Sequence, residues 1–423
     1  MKKLSINRLF NQVSFFGGAN IINIVLPVIL IPILALSFIP SDYRVLSMFQ
    51  MLIALFSIFV GLQSQSSVLR YVKNDERDLK GDQLMIGSTL FIFSRSFLIL
   101  FILIFLLQNI FSNFLKLSNL VIWLAFIAAN LYFFWNLFLN YSQAKENGRD
   151  YFISSLIHAA VSLFLTVVFI SFGFEFNERI IAIVVSAALI GIISRAKFGF
   201  KNISWNKKSI KKNLSYSLGL VPHAFFVFML AYVDKIYVNT YSSDNAAGSY
   251  FLMFQVSQIC LLVPTTLNKI FVPWLFNNGS DSLKIKSLFK IKNFLISSLL
   301  IFFICCLTAI FGYIALVLIG EKNSYEIIAS IFILLSLVAI LDSFYLFSVT
   351  LLHFLEQTKI ISLITFISVV CTVVLLWLIG PLYGITGAAL SCLFGSLIRL
   401  MLSFSIGVRG FKKYHINKSG IIL

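Results

Sequence analysis

Acid is scarce in this chain: 16 Asp and Glu stand among 423 residues, against 33 Lys and Arg, and charged residues of both signs make up only 12%. Soluble domains carry about 25% charged residues, so the deficit excludes an ordinary water-soluble domain and points to a bilayer. Histidine is also sparse, at four, and no group of His, Cys and carboxylates has metal-ligand spacing. All five cysteines (Cys260, Cys305, Cys306, Cys371, Cys392) fall inside apolar runs, which argues against a disulfide framework or a zinc site and leaves them as small core residues. No glycine-rich loop ending in Lys-Ser/Thr occurs, so the chain carries no nucleotide-binding engine, and no cofactor is expected.

What is abundant is oil. Hydrophobic residues make up 59% of the chain and the mean hydropathy is +0.96. A hydrocarbon core about 30 Å thick needs about 20 apolar residues per helix. Runs of that length fall near 13–38, 45–67, 84–107, 119–141, 151–173, 179–199, 215–239, 246–273, 293–319, 327–352, 360–380 and 382–407. The expected fold class is therefore an all-α integral membrane protein of about 12 transmembrane helices. The start, "MKKLSINRLF", is basic and leads into a run of about 26 residues. That run is too long for a signal-peptide core and is expected to stay as the first span.

The connections orient the spans. The even-numbered connections and both termini hold 25 Lys and Arg, whereas the odd-numbered ones hold only Arg44, Lys116, Arg179 and Lys322. Positive loops stay on the cytoplasmic side, so both termini are expected inside. The net charge of +17 is then mostly topological, and no nucleic-acid partner is expected. No outer loop exceeds about a dozen residues, which leaves little room for an extracellular catalytic domain.

The most basic loop, "RAKFGFKNISWNKKSIKKN" (195–213), falls at the midpoint. The expected organisation is an N-terminal six-helix half (1–199), a basic cytoplasmic linker (200–214), a C-terminal six-helix half (215–407) and a cytoplasmic tail (408–423). Two such halves suggest a parallel repeat with pseudo-twofold symmetry, as in many transporters. "PSDYRVLSMFQ" (40–50) and "SSDNAAGSYFLMFQ" (242–255) support it, each passing from Ser-Asp to Met-Phe-Gln.

Charges within the spans are the candidate site. Arg95 lies near the middle of the third span, where an arginine costs about 2.5–3.5 kcal/mol even on lenient insertion scales. Its alternatives are an inter-helix salt bridge or a cation for an anionic substrate. Arg399, in the twelfth span, and Lys269, at the inner end of the eighth, are the further candidate substrate-binding cations. For Lys269 an interfacial anchor is the plainer reading. Asp342, mid-way along the tenth span, either pairs with a basic residue of its own half or relays protons. His223, like His158, reads as a packing residue or a proton carrier. Asp234 and Lys235 stand side by side near the outer end of the seventh span. Neighbours on a helix point about 100° apart, so the two are expected not to cancel, and to fix or gate the outer mouth. Gln63 and Gln65 make the inner end of the second span polar. Cations outnumber acids deep in the spans, which favours an anionic cargo.

The run "LVPHAFFVFMLAYVDKIYVNTYSSDNAAGSYFLMFQ" (220–255) resembles the seventh and eighth helices of bacterial polysaccharide flippases. These belong to the multidrug/oligosaccharidyl-lipid/polysaccharide exporter superfamily. The shared features are Pro222 early in the helix, Asp234-Lys235 near its end, and Gly248-x-Tyr250 opening the next. "IGEKNSYEIIA" (319–329) and "GPLYGITGAALSCL" (380–393) resemble the family's loop after the ninth helix and its approach to the twelfth. One departure is Tyr43-Arg44, where the family usually has Gly after Tyr, which puts the close packing of that turn in question.

The resemblance implies a non-enzymatic carrier in the bacterial inner membrane, moving a polyprenyl-diphosphate-linked oligosaccharide, an O-antigen or capsule repeat unit, to the outer leaflet. A polysaccharide polymerase and a chain-length regulator would be its partners, and glycine steps such as Gly380/Gly384 would let moving helices pack closely. The alternatives are a membrane-bound polymerase or acyltransferase, for which a catalytic loop is missing, and a drug exporter of the same superfamily. The lack of an acid in the first span argues against cationic drugs.

Overall fold

Helix is the only regular structure among the described residues, as a bilayer requires, because only helices satisfy their own backbone groups without water or a closed barrel. The computed structural model describes residues 6–72, 79–172, 176–197, 203–278, 291–355 and 357–419. The basic-loop residues Lys73, Arg77, Lys284, Lys286 and Lys290, part of the linker (200–202) and the tail residues 420–423 lie outside them.

The helices are α1 Ile6–Ser37, α2 Pro40–Phe59, α3 Ser64–Tyr71, α4 Leu79–Leu115, α5 Asn119–Ala144, α6 Gly148–Ser171 and α7 Phe176–Lys197. They continue as α8 Lys207–Tyr241, α9 Asp244–Ser257, α10 Leu262–Asn278, α11 Ile291–Asn323, α12 Ala329–Phe354 and α13 Thr358–Ser419. Nine segments among the described residues are long and apolar enough to span a bilayer, with shorter apolar helices at Val28–Ser37 and Arg179–Ser194. Capping is local chemistry: Ser118 and Ser243 each accept from the backbone N–H three residues on, satisfying a donor the helix start leaves orphaned.

Two expectations of continuity and one of the position of a break need correcting. The second span does not run unbroken over 45–67, because Gly61, Leu62 and Gln63 all take left-handed dihedrals between α2 and α3. Glycine tolerates that conformation freely, the freed Gly61 N–H donates to Ser96 Oγ at 2.8 Å, and the Phe133 ring leaves no room for a Cβ at Gly61. The eighth span is likewise interrupted, by a 3₁₀ turn at Gln258–Leu261. Towards the C-terminus the expected break between 380 and 382 lies instead at Gly384, whose φ of 55° and ψ of −128° suit only glycine. Gly384 is thus not a packing glycine, since a Cβ there would meet nothing within 4 Å. Gly380 is one: its Cβ would sit 2.7 Å from the Tyr237 ring.

By contacts the chain divides into two units, Met1–Phe38 with Val45–Phe228, and Ile39–Arg44 with Met229–Leu423. In the N-terminal unit α5 packs on α6 and α7, α1 packs on α6, and α4 packs on the 60–63 turn. In the C-terminal unit α12 lies along α13 and also meets α9 and α10. All five cysteines are free; Cys260 and Cys305 share a core cluster with Ala339 and Ile340. Large apolar side chains such as Phe303, Phe311 and Trp377 are exposed, as expected of surfaces that face lipid.

Gly248 sets the closest backbone approach in the C-terminal unit, because any Cβ there would overlap the Pro40 carbonyl. Gly248→Val should cost about 1–3 kcal/mol by overpacking and lower the melting temperature in detergent. Gly219→Ala, on a helical position with nothing within 4 Å, should be neutral or slightly stabilising.

Candidate functional site

Among the described residues, most charges in the apolar helices are either matched by a carboxylate or held by rings and hydroxyls. The first kind dominates the C-terminal unit. Asp234 is 1% exposed and Lys235 5%. Lys235 Nζ lies 3.2 and 3.3 Å from the two Asp234 oxygens and donates to the Ala231 carbonyl at 2.6 Å. The expectation that these neighbours cannot meet is therefore wrong: the four-carbon lysine stem is long enough to fold back on the preceding residue. The ammonium also sits 3.2 Å from the Phe254 ring centre. Tyr250 donates to Asp234 Oδ2 at 2.7 Å. The Asp-Lys pair and the Gly-x-Tyr motif thus form one buried unit.

Asp342 and Arg399 also pair, joining α12 to α13. The Arg399 guanidinium lies 4.2 Å from the Tyr345 ring centre, and its Nε is buried without a hydrogen-bond partner. Of the two readings of Asp342, the salt bridge is what the geometry holds. Lys269 is exposed near the middle of α10.

Sequence reasoning missed a third charged group. Arg44 is 4% exposed; its Nη1 donates to Asn239 Oδ1 at 2.9 Å and its Nη2 lies 3.4 Å from Asp244. The neighbouring Tyr43 hydroxyl donates to Gln255, which closes the Met-Phe-Gln motif of the second half. The Tyr43 ring meets Tyr325 edge-on, with centroids 6.1 Å apart. Burial, with Asp42 nearby, pushes the Tyr325 hydroxyl far above the usual tyrosine range. The departure at Tyr43-Arg44 is thus filled by Arg44's own partners, and the close packing of the turn is kept by Gly248. The available signal was the mismatch itself: an arginine in an outer turn followed much later by an Asn and an Asp at a helix junction.

The N-terminal unit is different. Lys145 pairs with Asp82, yet Arg179, 4% exposed, donates to Thr166 and has no carboxylate within ion-pair distance among the described residues. His158 stacks on Trp135 at 4.3 Å and shares a hydrogen bond of 3.3 Å with the Tyr132 hydroxyl, which is the packing role. Arg95 is exposed on α4 among the exposed Leu98, Ile99 and Ile102, with its guanidinium 5.3 Å from the Phe91 ring centre. His223 is half-buried on α8 and its Nδ1 is buried without a partner. Gln65 is buried and Gln63 donates only a long bond to the Ser57 carbonyl at 3.5 Å. A groove of about 240 Å³ between α4 and α5 is lined by Phe97, Phe101, Trp123 and Phe126; it suits an apolar chain and not a charged head.

Breaking a buried pair leaves an uncompensated charge, which costs about 3–5 kcal/mol. Asp234→Asn should therefore lower thermal stability in detergent strongly, and Asp234→Asn with Lys235→Met should lose less than the sum of the singles. Additive losses would show that the two charges do not act as a pair.

The comparisons with known proteins agree with this architecture. A solved structure described as the inward-facing conformation of a multidrug resistance MATE family transporter of the MOP superfamily aligns at a TM-score of 0.71, with 12% identity over 96% of each chain. Its outward-facing counterpart aligns at 0.62, with 13% identity over 95% of this chain and 94% of the other. The lipid II flippase MurJ, in an inward closed conformation, aligns at 0.64 with 17% identity, over 97% of this chain and 90% of MurJ. At these identities the likeness shows the fold. No curated protein matches the sequence. The family model for polysaccharide biosynthesis proteins matches residues 9–278, more than half of the chain, and this protein belongs to that family.

Proposed function

We propose that this protein is a flippase for a polyprenyl-diphosphate-linked oligosaccharide repeat unit of an O-antigen or capsule. It works in the bacterial cytoplasmic membrane with both termini inside, and its two six-helix halves alternate access to a site between leaflets. The observation that carries the reading is the sign of the unmatched charge. Arg44, Lys235 and Arg399 are neutralised by carboxylates, whereas Arg95 lies against a ring and has no carboxylate partner among the described residues. An unmatched cation attracts a diphosphate and repels a cationic drug.

A polysaccharide biosynthesis family fits a step between assembly of the repeat unit inside and its polymerisation outside. The polymerase and chain-length regulator are the partners this reading expects. With no nucleotide site in the sequence, the drive would come from an ion gradient or from removal of product at the outer leaflet.

The test is leaflet exchange of a fluorescent polyprenyl-diphosphate oligosaccharide in proteoliposomes. Arg95→Ala should slow exchange at least about tenfold, the loss expected for one charge-assisted contact of about 1.5 kcal/mol or more. Equal rates would make Arg95 a membrane anchor and not a substrate contact. No exchange by the native protein, with and without an imposed proton or sodium gradient, would overturn the flippase reading.

A further inference from the structure

Two further cations with no carboxylate partner among the described residues stand at the basic ends of α3 and α8, and their setting is more fully built than that of Arg95. Arg70 closes α3 and Lys212 lies in the second turn of α8. Between them the Tyr71 and Tyr216 rings pack edge to face, with centroids 5.7 Å apart. The Arg70 guanidinium is 4.7 Å from the Tyr216 ring centre and 5.8 Å from that of Tyr71. Lys212 Nζ is 4.1 Å from the Tyr71 ring centre. Both cations are exposed, and neither makes a hydrogen bond or an ion pair within the protein among the described residues.

How a cation is held decides what it can still bind. A carboxylate neutralises it and occupies its N–H donors, as Asp342 does for Arg399. An aromatic face fixes its position for about 0.5–1 kcal/mol at an exposed site and takes up no acceptor-directed hydrogen bond. The five donors of Arg70 and the three of Lys212 are therefore positioned, and among the described residues nothing takes them up. The base beneath them is rigid: Asn213, next to Lys212, is buried and donates to Ser88 Oγ at 3.2 Å and Thr89 Oγ1 at 2.9 Å, tying the start of α8 to α4. Held donors on anchored elements are what a phosphate receptor needs.

We infer that Arg70, Lys212, Tyr71 and Tyr216 form a docking site for the diphosphate of the lipid-linked substrate as it arrives from the cytoplasmic leaflet. Two cations flanking one ring suit two adjoining phosphoryl groups, and the loop charge assigns these helix ends to the cytoplasm. The inference rests on the flippase reading for the identity of the lipid. The site itself is a property of one unit and binds without translocation. A surface anchor would place the same charges at the interface but would not need both rings.

The experiment is equilibrium binding of radiolabelled farnesyl diphosphate to the full-length protein in phosphatidylcholine nanodiscs. Arg70→Gln and Lys212→Gln should each weaken binding about 3- to 10-fold, and together more than tenfold. Tyr71→Leu with Tyr216→Leu, which leaves both charges in place, should weaken it severalfold. Lys211→Gln, which removes the same charge from an exposed neighbouring lysine, should change it less than twofold. Phosphatidylglycerol at equal concentration should not displace the probe.

Unchanged binding in the double Gln variant, or an equal loss in Lys211→Gln, would overturn the site. Displacement by phosphatidylglycerol would overturn its assignment to a diphosphate. Melting temperatures of the variants show that each is folded. If the native protein fails to exchange the oligosaccharide lipid while farnesyl diphosphate still binds as predicted, the flippase reading falls and the site stands.

Discussion

A charge in a low-dielectric interior must be neutralised, held by a ring or dipole, or brought to water, and every polar feature of this protein is an answer to that demand. The C-terminal unit neutralises. Asp234 serves Lys235, Asp342 serves Arg399 and Asp244 serves Arg44, which uses three of only 16 acids. The N-terminal unit pairs Lys145 with Asp82 but holds other cations differently, with Arg179 on a hydroxyl and Arg70, Arg95 and Lys212 on aromatic rings. The surplus of base over acid is therefore more than a record of loop orientation, since part of it is held in place over aromatic rings with no carboxylate partner among the described residues.

Backbone obeys the same rule. Where a helix is interrupted, the freed groups find partners or the chain uses glycine. Gly61 turns left-handed and gives its N–H to Ser96. Gly384 reverses φ between two apolar stretches of α13 that together are too long for one crossing. Broken helices at membrane depth are tolerated only with such compensation, and in carriers they are commonly where helices bend.

Much of the fold was legible because its signals are one-dimensional: run length, loop charge and short motifs near Asp234, Gly248 and Tyr250. The site was legible in composition and only partly in geometry. Lys235 folding back on Asp234 is invisible to helical-wheel reasoning, which places Cβ atoms and ignores the reach of a lysine. The Arg44 cluster joins residues 195 positions apart in sequence, and no local pattern announces such a pairing. Gly384 looked like one half of a packing step, but whether a glycine serves space or dihedral freedom depends on its neighbours. Arg70 and Lys212 read as ordinary inside-loop charges until their rings were seen.

Under the proposed function, the cations left without a carboxylate select an anionic lipid-linked cargo. The most direct measurement compares, in the same proteoliposomes, leaflet exchange of a polyprenyl-diphosphate trisaccharide with transport of the cationic dye ethidium, with and without an imposed ion gradient. Exchange of the diphosphate lipid should run well above protein-free vesicles, with ethidium at background. Ethidium transport without lipid exchange would contradict it and place this protein functionally with the drug exporters whose fold it shares.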